Sequence, residues 1–262
     1  KLIKNDISEI YVLSRNNKLK PKKYNHIKIT YINKSILNVK KIPQINYIIY
    51  CLKNKNIRVS NNYFNQFLKL LKTLKDKPKI LFTSSGAVYG KNTNKKRDLE
   101  NKKITNVSIN NLTGYKKEYA KEKVFLEKKI KELSVKDYKV SIARCYTFIG
   151  KNITRYNYAI SDLINDANTF DRIKLKSTIN VYRSYMHAND LSNWLIKIVK
   201  NSNTKCPIYN VGSDRVINLK DLTKKIGLIV NKKISLKTNK SNKFDYYAPS
   251  TAKAYKELNL KI

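Results

Sequence analysis

The sequence predicts an α/β protein, a doubly wound parallel sheet with helices on both faces, joined to a smaller α/β lobe. Three observations predict it. Short apolar runs, such as Ile45-Asn-Tyr-Ile-Ile-Tyr50 and Lys79-Ile-Leu-Phe-Thr83, alternate with longer stretches of helical spacing. The runs are nearly continuous, as in strands covered on both faces. After Gly150 the elements become shorter and the pattern changes. The expected division is a larger domain over 1–150 and a smaller lobe over 151–262, with some late segments returning to the first.

Ile7 to Leu13 reads as a helix tail entering a short strand, which ends at Ser14-Arg15-Asn16. His26 to Ile32 is a second strand, and Ile45 to Tyr50 a third, buried on both faces. Asn61 to Lys75 places Phe64, Phe67, Leu68 and Leu71 on one side of a helix. Lys79 to Thr83 is the next strand, Tyr115 to Leu133 a long helix, and Lys139 to Ala143 the strand after it. In the second part, Tyr158 to Ala167 and Asp190 to Val199 are helical, with Asp190 near the start of its helix. Pro207 to Gly212 is a short strand and turn, Asn218 caps a helix from Leu219 to Ile226, and Lys232 to Lys237 is another strand. Lys91–Lys103 and Asn239–Lys243, rich in Lys and Asn, read as surface loops.

A chain of 262 residues supports a sizeable core. No apolar run approaches the roughly 18–20 residues that span a bilayer. The first residues lack the apolar segment of a signal peptide. Cys51, Cys145 and Cys206 are scattered, with neither metal spacing nor the even count of a disulfide framework. The expectation is a reduced, cytoplasmic protein without membrane or metal. The formal charge of +38 looks like a nucleic-acid signature. The excess, however, is Lys rather than Arg, accompanies many Asn, Ile and Tyr, and runs along the whole chain. It reads as compositional drift on solvated faces, with no specific nucleic-acid partner.

One stretch carries chemistry. Ile80-Leu-Phe-Thr-Ser-Ser-Gly-Ala-Val-Tyr-Gly90 runs an apolar strand into two serines, and Tyr119-Ala-Lys-Glu-Lys123 follows on a helix. Tyrosine ionises near pH 10 and is a poor base at neutrality. A lysine four residues on shares its helix face, and the positive charge favours the tyrosinate. The spacing alone is weak in a lysine-rich chain with 19 tyrosines, and Tyr24 and Lys28 share it. Context strengthens it. Ser84 and Ser85 stand where a buried strand ends, the place where ligands bind in open α/β sheets. A hydroxyl there can hydrogen-bond the substrate oxygen that Tyr119 deprotonates. The plainer alternative is two serines capping a loop.

Thr83–Gly90 together with Tyr119-xxx-Lys123-xxx-Glu127 resembles the extended short-chain dehydrogenase/reductases, and within them the NAD-dependent epimerase/dehydratase group acting on nucleotide sugars. Ile142–Gly150, Tyr182–Leu191, Ile208–Ser213 and Tyr247–Lys253 resemble further landmarks in the family's order, so the likeness covers essentially the whole chain. It implies a Rossmann-like dinucleotide-binding domain over 1–150 and a mainly nucleotide-sugar-binding lobe over 151–262. It implies Ser85 as the residue that holds the sugar oxygen and Tyr119 as the base that removes the hydroxyl proton. Lys123 is implied to bind the nicotinamide ribose and to lower the tyrosine pKa. Arg183 matches an arginine on the sugar-nucleotide diphosphate, the alternative being a solvated charge. Tyr146, Thr147 and Phe148 match the strand end near the nicotinamide, with core packing as the alternative. Of these, Tyr146 and Phe148 go to the cofactor, and Thr147 with Gly86 to the substrate. Cys51, in the Tyr50-Cys51 pair after the fourth strand, is a further cofactor candidate. Asp190 reads as a helix cap rather than a catalytic acid, and His187 as structural. The implied cofactor is NAD or NADP, the implied partner a nucleotide-diphosphate sugar, and the implied assembly a homodimer.

Several departures shape the expectation. The family opens with a strand and a Gly-x-x-Gly-x-x-Gly loop that cradles the cofactor pyrophosphate. Of six glycines here, none precedes Gly86, so a fragment lacking that strand, that loop and a final C-terminal helix is expected. Ser35 stands where an acidic residue near the adenine is common. Arg15 stands where NAD-preferring members carry an acidic residue, which opens the site to NADP. The Asp-Glu pair that 4,6-dehydratases place after their catalytic threonine is Gly86-Ala87. That favours epimerisation or 4-keto-reduction, with 4,6-dehydration as the alternative. A non-catalytic polyanion- or nucleic-acid-binding protein is the alternative of another class. The sugar is expected to be selected by the loops Lys151–Tyr158 and Thr178–Arg183.

Overall fold

The computed structural model describes residues 7–15, 22–24, 27–54, 56–92, 94–150, 158–237 and 243–262. The first part of the chain forms β1 (Glu9–Leu13), β2 (Lys22–Tyr24), β3 (Ile27–Ile32), β4 (Tyr47–Tyr50), α1 (Ile57–Leu71) and β5 (Lys79–Ser85). Then come α2 (Asn106–Asn110), α3 (Gly114–Ser134), β6 (Val140–Cys145) and β7 (Phe148–Ile149). The second part holds α4 (Ala159–Thr169), β8 (Arg172–Leu175), β9 (Asn180–Ser184), β10 (Met186–His187) and α5 (Ala188–Lys200). It ends with β11 (Ile208–Val211), β12 (Val216–Asn218), α6 (Leu219–Ile229), β13 (Lys233–Leu236), β14 (Phe244–Tyr247) and α7 (Ala252–Leu258).

The doubly wound core is a parallel sheet in the order β11-β6-β5-β4. Side chains alternate across a strand, so β5 feeds two cores. Ile80 and Phe82 join Phe64, Phe67, Leu126 and Ile130 from α1 and α3 on one face. Leu81 joins Trp194 and Ile198 from α5, with Ala254 and Leu258 from α7, on the other. A second sheet, β1-β3-β2, pairs β1 parallel to β3. Among the described residues no ladder joins it to the first sheet, and β4 has one unpaired edge. The later strands form the small sheets β12-β9-β14 and β13-β8, the latter over a core with α4 and α6.

Several expectations shift. The helix tail before the first strand is not found at Ile7 and Ser8, which are irregular; residues 1–6 lie outside the described residues. Helix α1 starts earlier than the apolar spacing suggested, because the Asn56 side chain caps it by accepting from the Val59 N–H at 3.0 Å. Strand β4 is not buried on both faces: Tyr47 and Ile49 are each 39% exposed, since among the described residues one edge of the strand and the face beside it are uncovered. The loop expected over Thr178–Arg183 is largely strand β9, held between β12 and β14. The expected loops Lys151–Tyr158 and Asn239–Lys243 fall mostly outside the described residues. Asn218 caps α6 as expected, accepting from the Lys220 N–H at 2.8 Å.

Tyr50 closes the end of β4 with its ring against Phe64, Phe67 and Phe82. Its buried hydroxyl has no partner among the described residues. Burial, reinforced by the Glu122 charge, raises its pKa. The folded protein thus holds this proton to higher pH than the unfolded chain, and the contribution to stability is lost as pH rises past the ordinary value near 10. Tyr50→Phe is expected to leave urea stability at pH 7 unchanged or raise it by about 1 kcal/mol. Its advantage should widen between pH 9 and 11, and a variant that loses ground with rising pH would contradict this account.

Candidate active site

Strand β5 delivers Ser84 and Ser85 to the carboxyl edge of the parallel sheet, and a 3-10 turn from Gly86 to Tyr89 follows at once. Ser85 caps that turn, its hydroxyl accepting from the Ala87 N–H at 3.2 Å. Gly86 is buried beneath the Tyr146 ring, and a Cβ there would drive into the ring carbons. The turn can pass only with a glycine unless Tyr146 moves.

Helix α3 brings Tyr119, Lys123 and Glu127 to this edge on one face. Tyr119 is half-buried and stacks on Tyr115 with centroids 5.9 Å apart. Lys123 is buried; its ammonium donates to the carbonyls of Thr83 at 3.1 Å and Leu52 at 3.4 Å, and lies 5.6 Å from the Tyr119 ring centroid. Burial pushes the Lys123 pKa down, against the pull of neighbouring Glu122. Burial also pushes Tyr119 up to about 12, offset in part by the nearby Ser85 hydroxyl. The expected lowering of the tyrosine by Lys123 does not prevail here: the ammonium is turned to the strand-end carbonyls, and desolvation of the phenol wins.

A third phenol completes the cluster. The hydroxyl of Tyr247, at the end of β14, lies 3.3 Å from Ser85 Oγ, and its ring packs on Tyr146 with centroids 4.5 Å apart. Tyr146 itself is buried, its hydroxyl donating to Asp98 at 3.0 Å. Its ring thus covers Gly86.

Beneath the serines lies a buried polar network. Ser84 donates to Glu127 Oε1 at 2.6 Å. Arg144 meets the same carboxylate in a two-pronged pair, Nε at 2.9 Å and a terminal nitrogen at 2.7 Å. Its other terminal nitrogen donates to the Tyr89 hydroxyl, which donates to Asn210. Asn210 in turn donates to the Asp98 carbonyl at 2.8 Å. The chain of bonds therefore runs from Ser84 under the sheet edge to Asp98, the partner of Tyr146.

The remaining candidates are more spread out. Arg183 is half-buried and paired: it donates to Asp245 Oδ2 at 2.7 Å and to the backbone carbonyls of Tyr182 and Asp245. Burial opposes ionisation of Asp245, but Arg183 and Lys116 hold its carboxyl below the usual range. Cys51 is exposed at the end of β4. Thr147 is half-buried, its carbonyl accepting from the Met186 N–H, and Phe148 packs in the core beside α5. Arg15 is exposed just beyond β1, in the other sheet. Asp190 is not the cap of α5: that position is His187, whose ring nitrogen accepts from the Asn189 N–H at 3.2 Å, while Asp190 sits in the first turn. Tyr24 and Lys28 lie on separate strands, and Lys28 pairs with Glu9.

Ser85, Gly86, Tyr119, Lys123 and Tyr146 are thus brought together. Tyr247, Asp245, Arg144 and the role of Glu127 escaped the sequence. Tyr247 and Arg144 lie in recognised landmarks, and Glu127 in the extended tyrosine–lysine pattern, but none of these patterns gives the residue its partner.

A family model described as "NAD dependent epimerase/dehydratase family" matches residues 1–212. No curated protein sequence matches the chain. Among solved structures, a putative epimerase from Burkholderia cenocepacia J2315 superposes with a TM-score of 0.72 at 14% identity, covering 96% of this chain and 92% of that one. A dTDP-glucose 4,6-dehydratase from Bacillus anthracis in complex with NAD gives 0.66 at 16% identity, covering 90% and 75%. A UDP-glucuronic acid 4-epimerase from Bacillus cereus, in complex with UDP-glucuronic acid and NAD, gives 0.65 at 14% identity, covering 89% and 76%. At these identities the likeness speaks for the fold.

Proposed function

The chain belongs to the NAD dependent epimerase/dehydratase family, and on that premise we propose that it is an NAD(P)-dependent nucleotide-sugar epimerase or 4-keto-reductase acting at a sugar carbinol. The observation that carries this reading is the meeting of Ser85, Tyr119 and Lys123 at the carboxyl edge of β5. In the same reading the parallel sheet and its helices hold the cofactor, the later small sheets hold the nucleotide sugar, and the protein works as a homodimer.

The residues present fit a nicotinamide cofactor. An ammonium has three protons, and Lys123 spends two on Thr83 and Leu52, leaving one for a ribose hydroxyl at the strand ends. Cys51 is open to the same region, and Arg15 offers a charge for a ribose phosphate. When bound, the nicotinamide supplies the hydride acceptor or donor. The protein supplies the proton chemistry. Ser85 Oγ orients the sugar hydroxyl, Tyr119 Oη takes its proton on oxidation and returns one on reduction, and Arg183 holds the diphosphate through the guanidinium now clasped by Asp245.

Elimination of water would need a further acid and base beside the serine. Gly86 leaves no room for a side chain under Tyr146. Asp98, Glu127 and Asp245 are already committed to Tyr146, Arg144 and Arg183. This supports epimerisation or reduction over 4,6-dehydration. The test is to incubate the full-length protein with NAD or NADP and a panel of UDP-, dTDP- and GDP-hexoses and their 4-keto forms, with products followed by NMR. A C4 epimer or a reduced 4-keto sugar is expected. A 4-keto-6-deoxy product would replace this reading with dehydration. Salt-sensitive binding to any polyanion, with no nicotinamide binding, would replace it with the non-catalytic one.

A further inference from the structure

We propose that Tyr247 is a positioning residue that aims the Ser85 hydroxyl, making Ser85 a donor toward Tyr119 in the free site and toward the sugar oxygen in its place once substrate is bound. The inference rests on the proposed function and adds a member to its site. A serine hydroxyl has one proton and two lone pairs. The Ala87 N–H occupies one lone pair at 3.2 Å, and the Tyr247 hydroxyl lies at 3.3 Å on another side. As Tyr119 gains negative charge, the charge-assisted bond draws the single Ser85 proton toward it. Ser85 can then only accept from Tyr247. In this arrangement donation from Tyr247 to Ser85 strengthens what Ser85 donates onward.

The surroundings suit this role. Burial raises the Tyr247 pKa and outweighs the lowering by Ser85 and Arg183, so Tyr247 keeps the proton it must donate. Its ring is fixed against Tyr146. In β14 it lies two residues from Asp245 and so on the same face, with Tyr247 in register with Arg183 of β9. One strand therefore clamps both Arg183 and Ser85. The groups that bear on Tyr119 are Tyr115 and Lys123 from α3, Lys53 after β4, Ser85 from β5, Cys145 from β6, Tyr158 before α4 and Tyr247 from β14. Arg183 faces Tyr247 at 5.9 Å from the ring centroid.

The test is Tyr247→Phe, which keeps the ring and removes the hydroxyl. The full chain is labelled with tyrosine carrying carbon-13 at Cζ, and the Tyr119 resonance is assigned with Tyr119→Phe. The Tyr119 titration midpoint is expected to rise by about one unit, equal to about tenfold less tyrosinate at a given pH. With a substrate in hand, kcat should fall by a similar factor, KM should hold, and the acid limb of the pH profile should move up equally. In a Ser85→Ala background the same substitution should shift nothing further, because the hydroxyl it aims is gone. Tyr247→fluorotyrosine, a stronger donor, should move the Tyr119 midpoint down. A Tyr119 titration unmoved by Tyr247→Phe, or moved equally without Ser85, overturns the inference. Failure of the functional reading shows separately, as undiminished turnover in Tyr119→Phe.

Discussion

Tyr119→Phe in the full-length protein is expected to lower kcat by about 10²–10⁴-fold while leaving the fold intact. The ring that stacks on Tyr115 is kept, and the loss is one hydroxyl beside Ser85. No other group takes over. Tyr247 shares the serine, but burial holds its proton more firmly, and Tyr146 is tied to Asp98. Because Tyr119 is pushed up to about 12, the wild-type rate should climb with pH across the neutral range, as the tyrosinate fraction grows with each unit. The variant should lose that climb. Turnover and pH profile are measured on the same nucleotide sugar. A variant that keeps both would remove Tyr119 from the mechanism.

Arg144→Met is expected to cost about 3–5 kcal/mol of folding stability, read from urea unfolding midpoints. The substitution leaves Glu127 buried, with Ser84 as its one remaining neutral donor, and strips Tyr89 of its donor. A cost of that size is a large share of a typical domain's total stability. The double variant Glu127→Leu/Arg144→Met should recover much of the loss, because the expensive species is the unpaired charge rather than the missing pair. A double variant as unstable as the single one would show that shape, not charge, governs the site.

The parallel core was legible because its strands are short apolar runs between helical periods. Ile80, Leu81 and Phe82 are all fully buried, and their run alone announced a strand covered on both faces. The same rule failed at β4, whose apolar residues are half uncovered: a run of side chains reports affinity for a neighbour, not whether one is in place. Ser85, Tyr119 and Lys123 were legible because a strand end and one helical turn are local. Tyr247 and Asp245 were not, because they reach the site from a late strand of a different sheet, and no spacing in the sequence encodes that approach. Arg144 lies within the Ile142–Gly150 landmark, but nothing in that segment alone gives it a partner. Its role comes from being buried opposite Glu127.

The edge of β4 that is unpaired among the described residues has a consequence for how the protein behaves in company. Tyr47-Ile-Ile-Tyr50 is uncharged, rich in β-forming residues and without proline, the makings of a strand that adds to another molecule's sheet. What opposes this is the net charge of +38, which makes every copy repel its neighbour. That repulsion reaches only about 8 Å at physiological ionic strength and less in stronger salt. The surface lysines thus act as a colloidal guard over an adhesive edge, and each increment of salt lowers it.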